Sequence, residues 1–150
     1  MRPVKKNLLD YCKSVLMKRI EAAQSAMEES QQAANSEGKS SAGDKYETSR
    51  AMGQLDRDMN ARQLEEANRD LAFLNTIQAE SFFESAQTGS VVTTEKNIFF
   101  ISLGLGTATI DNQQIVLLSH ASPVAKMMEG KKAGENFILN NQPVKIIDVY

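Results

Sequence analysis

Asn35-Ser36-Glu37-Gly38-Lys39-Ser40-Ser41-Ala42-Gly43 is the one polar, glycine-bearing break in the first half of this 150-residue chain. Apolar residues recur on both sides of it at threes and fours. Before it they run Leu9, Cys12, Leu16, Ile20, Ala23 and Met27; after it they run Met52, Leu55, Met59, then Leu64, Ala67, Leu71 and Leu74. That is the period of an apolar helical seam. The five-residue step from Met59 to Leu64 is an irregularity, read here as a local shift of the seam. The surrounding composition is rich in Ala, Gln, Glu, Lys, Met and Leu, all good helix formers. Two helices of about 33 residues, each roughly 50 Å long at ~1.5 Å per residue, joined at this break make an antiparallel hairpin or coiled coil. Its tip falls near residues 36–47. A narrow seam with no third helix makes a poor pocket and a good carrier of its own tip.

Outward from the hairpin the rhythm changes near residue 82. Val91-Val92-Thr93-Thr94, Asn97 to Ser102, Gly106 to Ile110 and Ile115 to Leu118 are β-branched or aromatic stretches separated by turn residues. Asp111-Asn112 reads as a hairpin turn. Ser122 to Gly130 reads as one short helix, with Ser122 at the N-cap, Pro123 at the first helical position and Gly130 past the end. Asn136 to Leu139 and Val144 to Val149 form a second hairpin around Asn140-Asn141-Gln142-Pro143. The expectation is therefore an α+β chain: a helical hairpin over 1–82, then a small antiparallel β domain with one short helix over 83–150. The two are expected to be separable near Phe82 to Thr88.

Seventeen basic against nineteen acidic residues give a net charge of −2. That balance argues against holding nucleic acid by bulk electrostatics, so no direct DNA binding is expected. A single cysteine, Cys12, cannot make an internal disulfide, and a reduced cytoplasmic setting is the simplest reading. No apolar run approaches the ~20 residues that span a bilayer, so no membrane partner is expected. One His and one Cys cannot make a zinc ligand set.

The residues that carry chemistry are few. Gly43-Asp44-Lys45-Tyr46-Glu47 sits at the hairpin tip. Two carboxylates three residues apart can share a divalent cation with another macromolecule. The same spacing is close to a capping box, with Asp44 at an N-cap and Glu47 three residues on. Ser41 can serve as the cap instead and leave Asp44 free, and both readings stand at this stage. Lys39, Lys45, Arg50 and Arg57 make the tip region locally basic, with Arg50 and Arg57 seven apart on one face. Solvated helix charges explain them, and contact with RNA phosphates is the alternative. Gly104-Leu105-Gly106 lacks the third glycine and following helix of a dinucleotide site, so a turn or bulge fits better. His120 reads as structural or surface, and Cys12 as a packed seam residue.

Taken together, the chain resembles the bacterial transcript cleavage factor family, GreA and GreB. Gly43-Asp44-Lys45-Tyr46-Glu47 follows the family's Gly-Asp-x-x-Glu tip. Ser122-Pro123-Val124-Ala125-Lys126, Gly130-Lys131, Gly134-Glu135 and the terminal Val144 to Tyr150 are similar to its Ser-Pro-Ile-Ala-Arg, Gly-Lys and Gly-Asp signature. The resemblance implies an FKBP-like C-terminal domain that docks at the mouth of the secondary channel of bacterial RNA polymerase. It implies a hairpin that enters the channel toward the nascent RNA 3′ end. Asp44 and Glu47 would help hold a Mg²⁺ of the polymerase's own active centre and stimulate cleavage of backtracked RNA. No cofactor of its own and no independent enzyme activity are implied. Ser122, Pro123, Lys126, Lys131 and Lys132 would lie on or beside the docking surface. Lys45, Arg50 and Arg57 would be the candidates for RNA contact.

The chain also departs from the family. Where the family continues Asn-Ala-Glu-Tyr after the tip glutamate, this chain has Thr48-Ser49-Arg50-Ala51, a basic residue in place of an acidic one. That departure opens two other readings, a channel-binding factor that inhibits or modulates polymerase without cleavage, and a plain coiled-coil interaction protein. Prolyl isomerase activity, known on the FKBP-like fold, is disfavoured. The chain has no Trp, and the strand domain offers only Phe83, Phe99, Phe100, Phe137 and Tyr150 as pocket aromatics.

Overall fold

A computed structural model of the chain describes residues 2–37 and 43–150, with the side chains of 34–37, 43–46 and 49 outside that description. Helix α1 spans Lys5–Glu37 and α2 spans Gly43–Leu74. Strands β1 (Val91–Thr94), β2 (Ile98–Ser102), β3 (Gly106–Ile110) and β4 (Gln113–Ser119) follow. Helix α3 (Pro123–Met128) then leads to β5 (Asn136–Leu139) and β6 (Gln142–Val149). The fold is α+β, an N-terminal helical hairpin followed by a six-stranded sheet with one short helix. By packing it divides into two compact units, Met1–Lys13 with Phe73–Tyr150, and Ser14–Ala72. The boundary expected near residue 82 marks the change of periodicity. The first turns of α1 and the residues from Phe73 onward group with the strands.

In the strand unit the sheet order is β3-β4-β2-β1-β6-β5. Four neighbouring pairs are antiparallel, and β2 with β4 is parallel. The sheet is thus mixed. The chain leaves β2, reverses into β3, then reverses again at Asp111-Asn112, so β4 arrives beside β2 in the same direction. Both two-residue hairpin turns use left-handed backbone: Asp111 and Asn112 have φ of 54° and 60°, Asn140 and Asn141 of 52° and 64°. Asp and Asn tolerate this conformation because their short side chains bond locally, and its twist matches that of the strands. Gln142 and Pro143 already belong to β6 rather than to the turn.

The sheet buries both faces. Val92, Phe99, Ile101, Phe137 and Ile146 pack with Ala125 and Met128 of α3. Alternate residues Val91, Phe100, Ile115 and Leu117 are buried on the opposite face. Cys12 of α1 reaches Ser102 on that side, and Leu8, Leu9 and Leu74 are buried with it. The N-terminus is fastened by polar contacts. Asp111 in the β3–β4 turn accepts from Val4 N at 2.9 Å and from Asn7 Nδ2 at 2.7 Å. Tyr150 donates its hydroxyl to Pro3 O at 2.6 Å, and Arg2 pairs with Asp148 at 2.8 Å.

In the helical unit α1 and α2 run antiparallel: Arg57 donates to Gln31 at 2.6 Å, while Arg19 and Asp70 line one groove. The seam of α1 is as expected for Leu16, Ile20 and Ala23, all buried, with Met27 half-buried. The seam of α2 differs. Ala67 is buried and Leu64 and Leu71 are half-buried, but Met52, Leu55 and Met59 are 62%, 67% and 49% exposed. The inward line continues from Leu64 through Asn60, Arg57 and Gly53, of which Asn60 is buried and the other two half-buried. The irregular step at Met59 is therefore no shift of the seam. The steps of four and three carry on unbroken through polar residues, and the apolar ones lie on another side of the helix.

Candidate functional site

The end of the hairpin is bounded by Glu37 and Gly43. Asp44 is the second residue of α2 and Glu47 lies three residues on, so the two positions fall on one side of the helix near its start. A helix beginning at Gly43 contains Asp44 in its first turn, rather than being preceded by it as an N-cap. The capping position itself, Ser41 included, lies outside the described residues, as do the Asp44 and Lys45 side chains. Glu47 and Arg50 are exposed. Two carboxylates are too few oxygens to retain Mg²⁺ alone, and they suit an ion that a second macromolecule also ligates. Among the described residues no three His, Cys, Asp or Glu side chains converge on one point.

Arg57 is engaged by the helices themselves. Its guanidinium donates to Gln31 across the hairpin and to Gln54 one turn back, and its Nε is buried without a partner. Arg50 remains outward one turn beyond Glu47.

The second motif lies on the strand unit. Ser122 Oγ accepts from Ala125 N at 3.2 Å, capping α3, and Pro123 occupies the first turn. Both termini of this short helix are thereby set by sequence. Gly130 follows it with φ of 79° and donates to Ala86 O at 2.8 Å. Ala125 and Met128 face the core, which leaves Lys126 and Met127 outward, the latter 49% exposed. Lys132 is exposed, and its backbone N–H donates to Glu135 Oε1 at 3.0 Å. Lys131 is half-buried, with its backbone bonded to both Met128 and Ala86, so it presents less charge to solvent than Lys132 does. Lys126, Met127 and Lys132 are thus exposed, with the acids Glu129 and Glu135 also exposed nearby in the chain. Sequence reasoning missed Met127. Its signal was the Met127-Met128 pair in a one-and-a-half-turn helix, where only one of two neighbours can face the core.

Other titratable groups are structural. Cys12 is fully buried, and burial pushes its thiol up to about 11, which keeps it protonated and unreactive. His120 stacks on Phe73 with ring centroids 4.7 Å apart. Lys5, which sequence reasoning did not single out, is 3% exposed. Its ammonium donates to Ser81 O at 2.6 Å and lies 4.7–5.7 Å from the rings of Phe82, Phe83 and Tyr150. Burial lowers its pKa to about 8.

No helix among the described residues is long and apolar enough to cross a membrane. No known family profile and no curated protein matches the chain. Among solved structures, the transcription factor Gfh1 aligns over 92% of this chain and 92% of its own, at 16% identity and a TM-score of 0.35. That likeness is too loose to bear on function.

Proposed function

We propose that this chain is a Gre-like transcription elongation factor that binds bacterial RNA polymerase and stimulates cleavage of backtracked RNA. The observation that carries the reading is the presence, in one chain, of two separate features. One is a pair of acidic residues, Asp44 and Glu47, three residues apart at the start of α2, at the loop end of a helical hairpin. The other is a Ser-Pro-capped helix with outward lysines on a β unit. Asp44 and Glu47 contribute hard oxygen ligands to a Mg²⁺ held chiefly by the polymerase, and that metal orients a water for hydrolysis. The surface of Lys126, Met127 and Lys132 docks the factor, and Arg50 and Lys45 meet the phosphates of the extruded RNA. The reacting machine is the polymerase, and this chain positions charge for it.

Arg50 favours a second reading, occupation of the channel without cleavage. It is exposed one turn from Glu47, where the related factors carry an acid. A guanidinium there competes with the metal for the carboxylates.

Stalled, backtracked elongation complexes with 3′-labelled RNA separate the two. Release of short 3′ fragments on adding the protein supports cleavage. Slowed extension with intact RNA supports the second reading, and Arg50→Glu then moves the protein toward cleavage. Failure to bind the polymerase contradicts both.

A further inference from the structure

Strand β3 lies at one end of the sheet, beside β4. The two strands pair in unbroken register from Gly106↔Leu117 to Ile110↔Gln113. A two-residue turn closes that ladder, so Ile110 and Gln113 exchange both backbone bonds. By alternation Ala108 and Gly106 also bond toward β4. Thr107 and Thr109 then turn their N–H and C=O groups outward, away from the sheet. Among the described residues no loop, helix or side chain takes these groups up. Gly106, Thr107 and Thr109 are exposed, and a methyl group placed on Gly106 would meet no atom within 4 Å.

An edge strand is ordinarily protected by a charge, a proline, a bulge or a covering element. Gly106-Thr107-Ala108-Thr109-Ile110 has no charge and no proline, and its ladder with β4 is regular. Backbone groups alone accept any strand, and the side chains choose among them. In either direction the centre of β3 reads Thr-Ala-Thr. An antiparallel copy centred on Ala108 sets Thr107 against the partner's Thr109, and Thr109 against the partner's Thr107. These are the residues whose backbone groups point outward, so each pair exchanges N–H···O bonds, and Thr–Thr pairs are favourable across strands. Ala108 meets its twin at the axis, in a pair whose Cα atoms stand about 4.5 Å apart, where a small side chain fits. Gly106 comes opposite Ile110 and Gly104 opposite Asn112, so the turn of each copy passes residues without side chains. Asp111 is occupied with Val4 and Asn7 of its own chain. A net charge of −2 opposes the approach of two copies only weakly.

We infer that β3 pairs with β3 of a second copy of this chain, antiparallel about a twofold axis at Ala108, making one continuous sheet across a homodimer. The inference goes beyond the polymerase reading and does not depend on it, because it uses neither the residues of the hairpin tip nor helix α3.

Cysteine crosslinking of the full chain tests the register. Ala108→Cys brings two thiols together at a Cα separation of about 4.5 Å, inside the ~4.4–6.8 Å span of a disulfide. Thr107→Cys is the control, because its twin is a diagonal neighbour about 7–8 Å away. Cys12 is fully buried and stays in every variant. Under mild oxidation with copper phenanthroline, Ala108→Cys should yield about tenfold more disulfide-linked dimer than Thr107→Cys or the unchanged chain. Sedimentation velocity at rising concentration should show the unchanged chain passing from monomer to dimer. The paired change Thr107→Lys and Thr109→Lys sets like charges against each other in both pairs. It should raise the dissociation constant about tenfold, with circular dichroism unchanged. A monomer at every concentration overturns the inference. So does crosslinking at 108 no greater than at 107, or a dimer that the paired change leaves intact.

Discussion

The strand unit and the helical unit are held together by different means. In the first, Phe100, Leu8, Leu74, Ile115, Met128 and Ile146 are fully buried, and both faces of the sheet are covered. In the second, the inner line of α2 runs through Gly53, Arg57 and Asn60 while Met52, Leu55 and Met59 face water. A fully buried Leu or Phe contributes about 1.5–3 kcal/mol by transfer alone, and the tip half of the hairpin has no such residue among those described. The strand unit is thus built around a packed core. The helical unit keeps apolar surface in reserve and holds its helices partly through Arg57 and Gln31.

The largest expected effect follows from this contrast. Phe100→Ala should cost about 3–5 kcal/mol, whereas Met59→Ala should stay within about 0.5 kcal/mol. Urea titration followed by circular dichroism compares them. Equal losses would mean that Met59 is packed and that the seam on α2 is wrongly drawn. A smaller effect is expected at the α3 cap. Ser122→Ala should cost about 1 kcal/mol, because it leaves Ala125 N without its acceptor, and Ser122→Asp should restore most of it. Loss on both changes would show that Ser122 is needed for something other than its cap.

A pH-dependent effect concerns Lys5. Its folded-state pKa, about 8, lies below its ordinary value of 10.5. Between those values the unfolded chain holds the proton that the folded chain has released, so stability rises with pH. Relative to Lys5→Met, the wild-type urea midpoint should climb from pH 8 to pH 10 and be flat below pH 7. Parallel curves for the two proteins would place the ammonium in water.

Much of this was legible in the sequence. Asp111-Asn112 and Asn140-Asn141 announce tight hairpins because few other residues accept a left-handed backbone, and three strand ranges match residue for residue. The α1 seam was legible because leucine and isoleucine occupy it. The α2 seam was not. A periodicity built on apolar residues follows Met52, Leu55 and Met59 and cannot see an inner line made of glycine, arginine and asparagine. The parallel β2–β4 pair was equally hidden, since it depends on which edge β3 takes and not on any local residue. Lys5 sits beside Lys6 with nothing nearby to distinguish them; its burial comes from Ser81 to Phe83 and Tyr150, distant in the chain. At the tip the Gly-Asp-x-x-Glu spacing was visible. Whether Asp44 leads the helix or lies within it rested on a helix start that spacing alone does not give.

The most direct measurement is RNA cleavage by Asp44→Asn in backtracked polymerase complexes, with binding measured on the same samples. Asparagine keeps the shape of aspartate and removes the charge that a hard cation requires. In the first turn of a helix the lost charge costs only about 0.3–1 kcal/mol. The account expects binding and thermal stability to remain near wild type while cleavage is lost, and Glu47→Gln to behave in the same way. Wild-type cleavage that persists undiminished in Asp44→Asn would contradict the metal role of the tip.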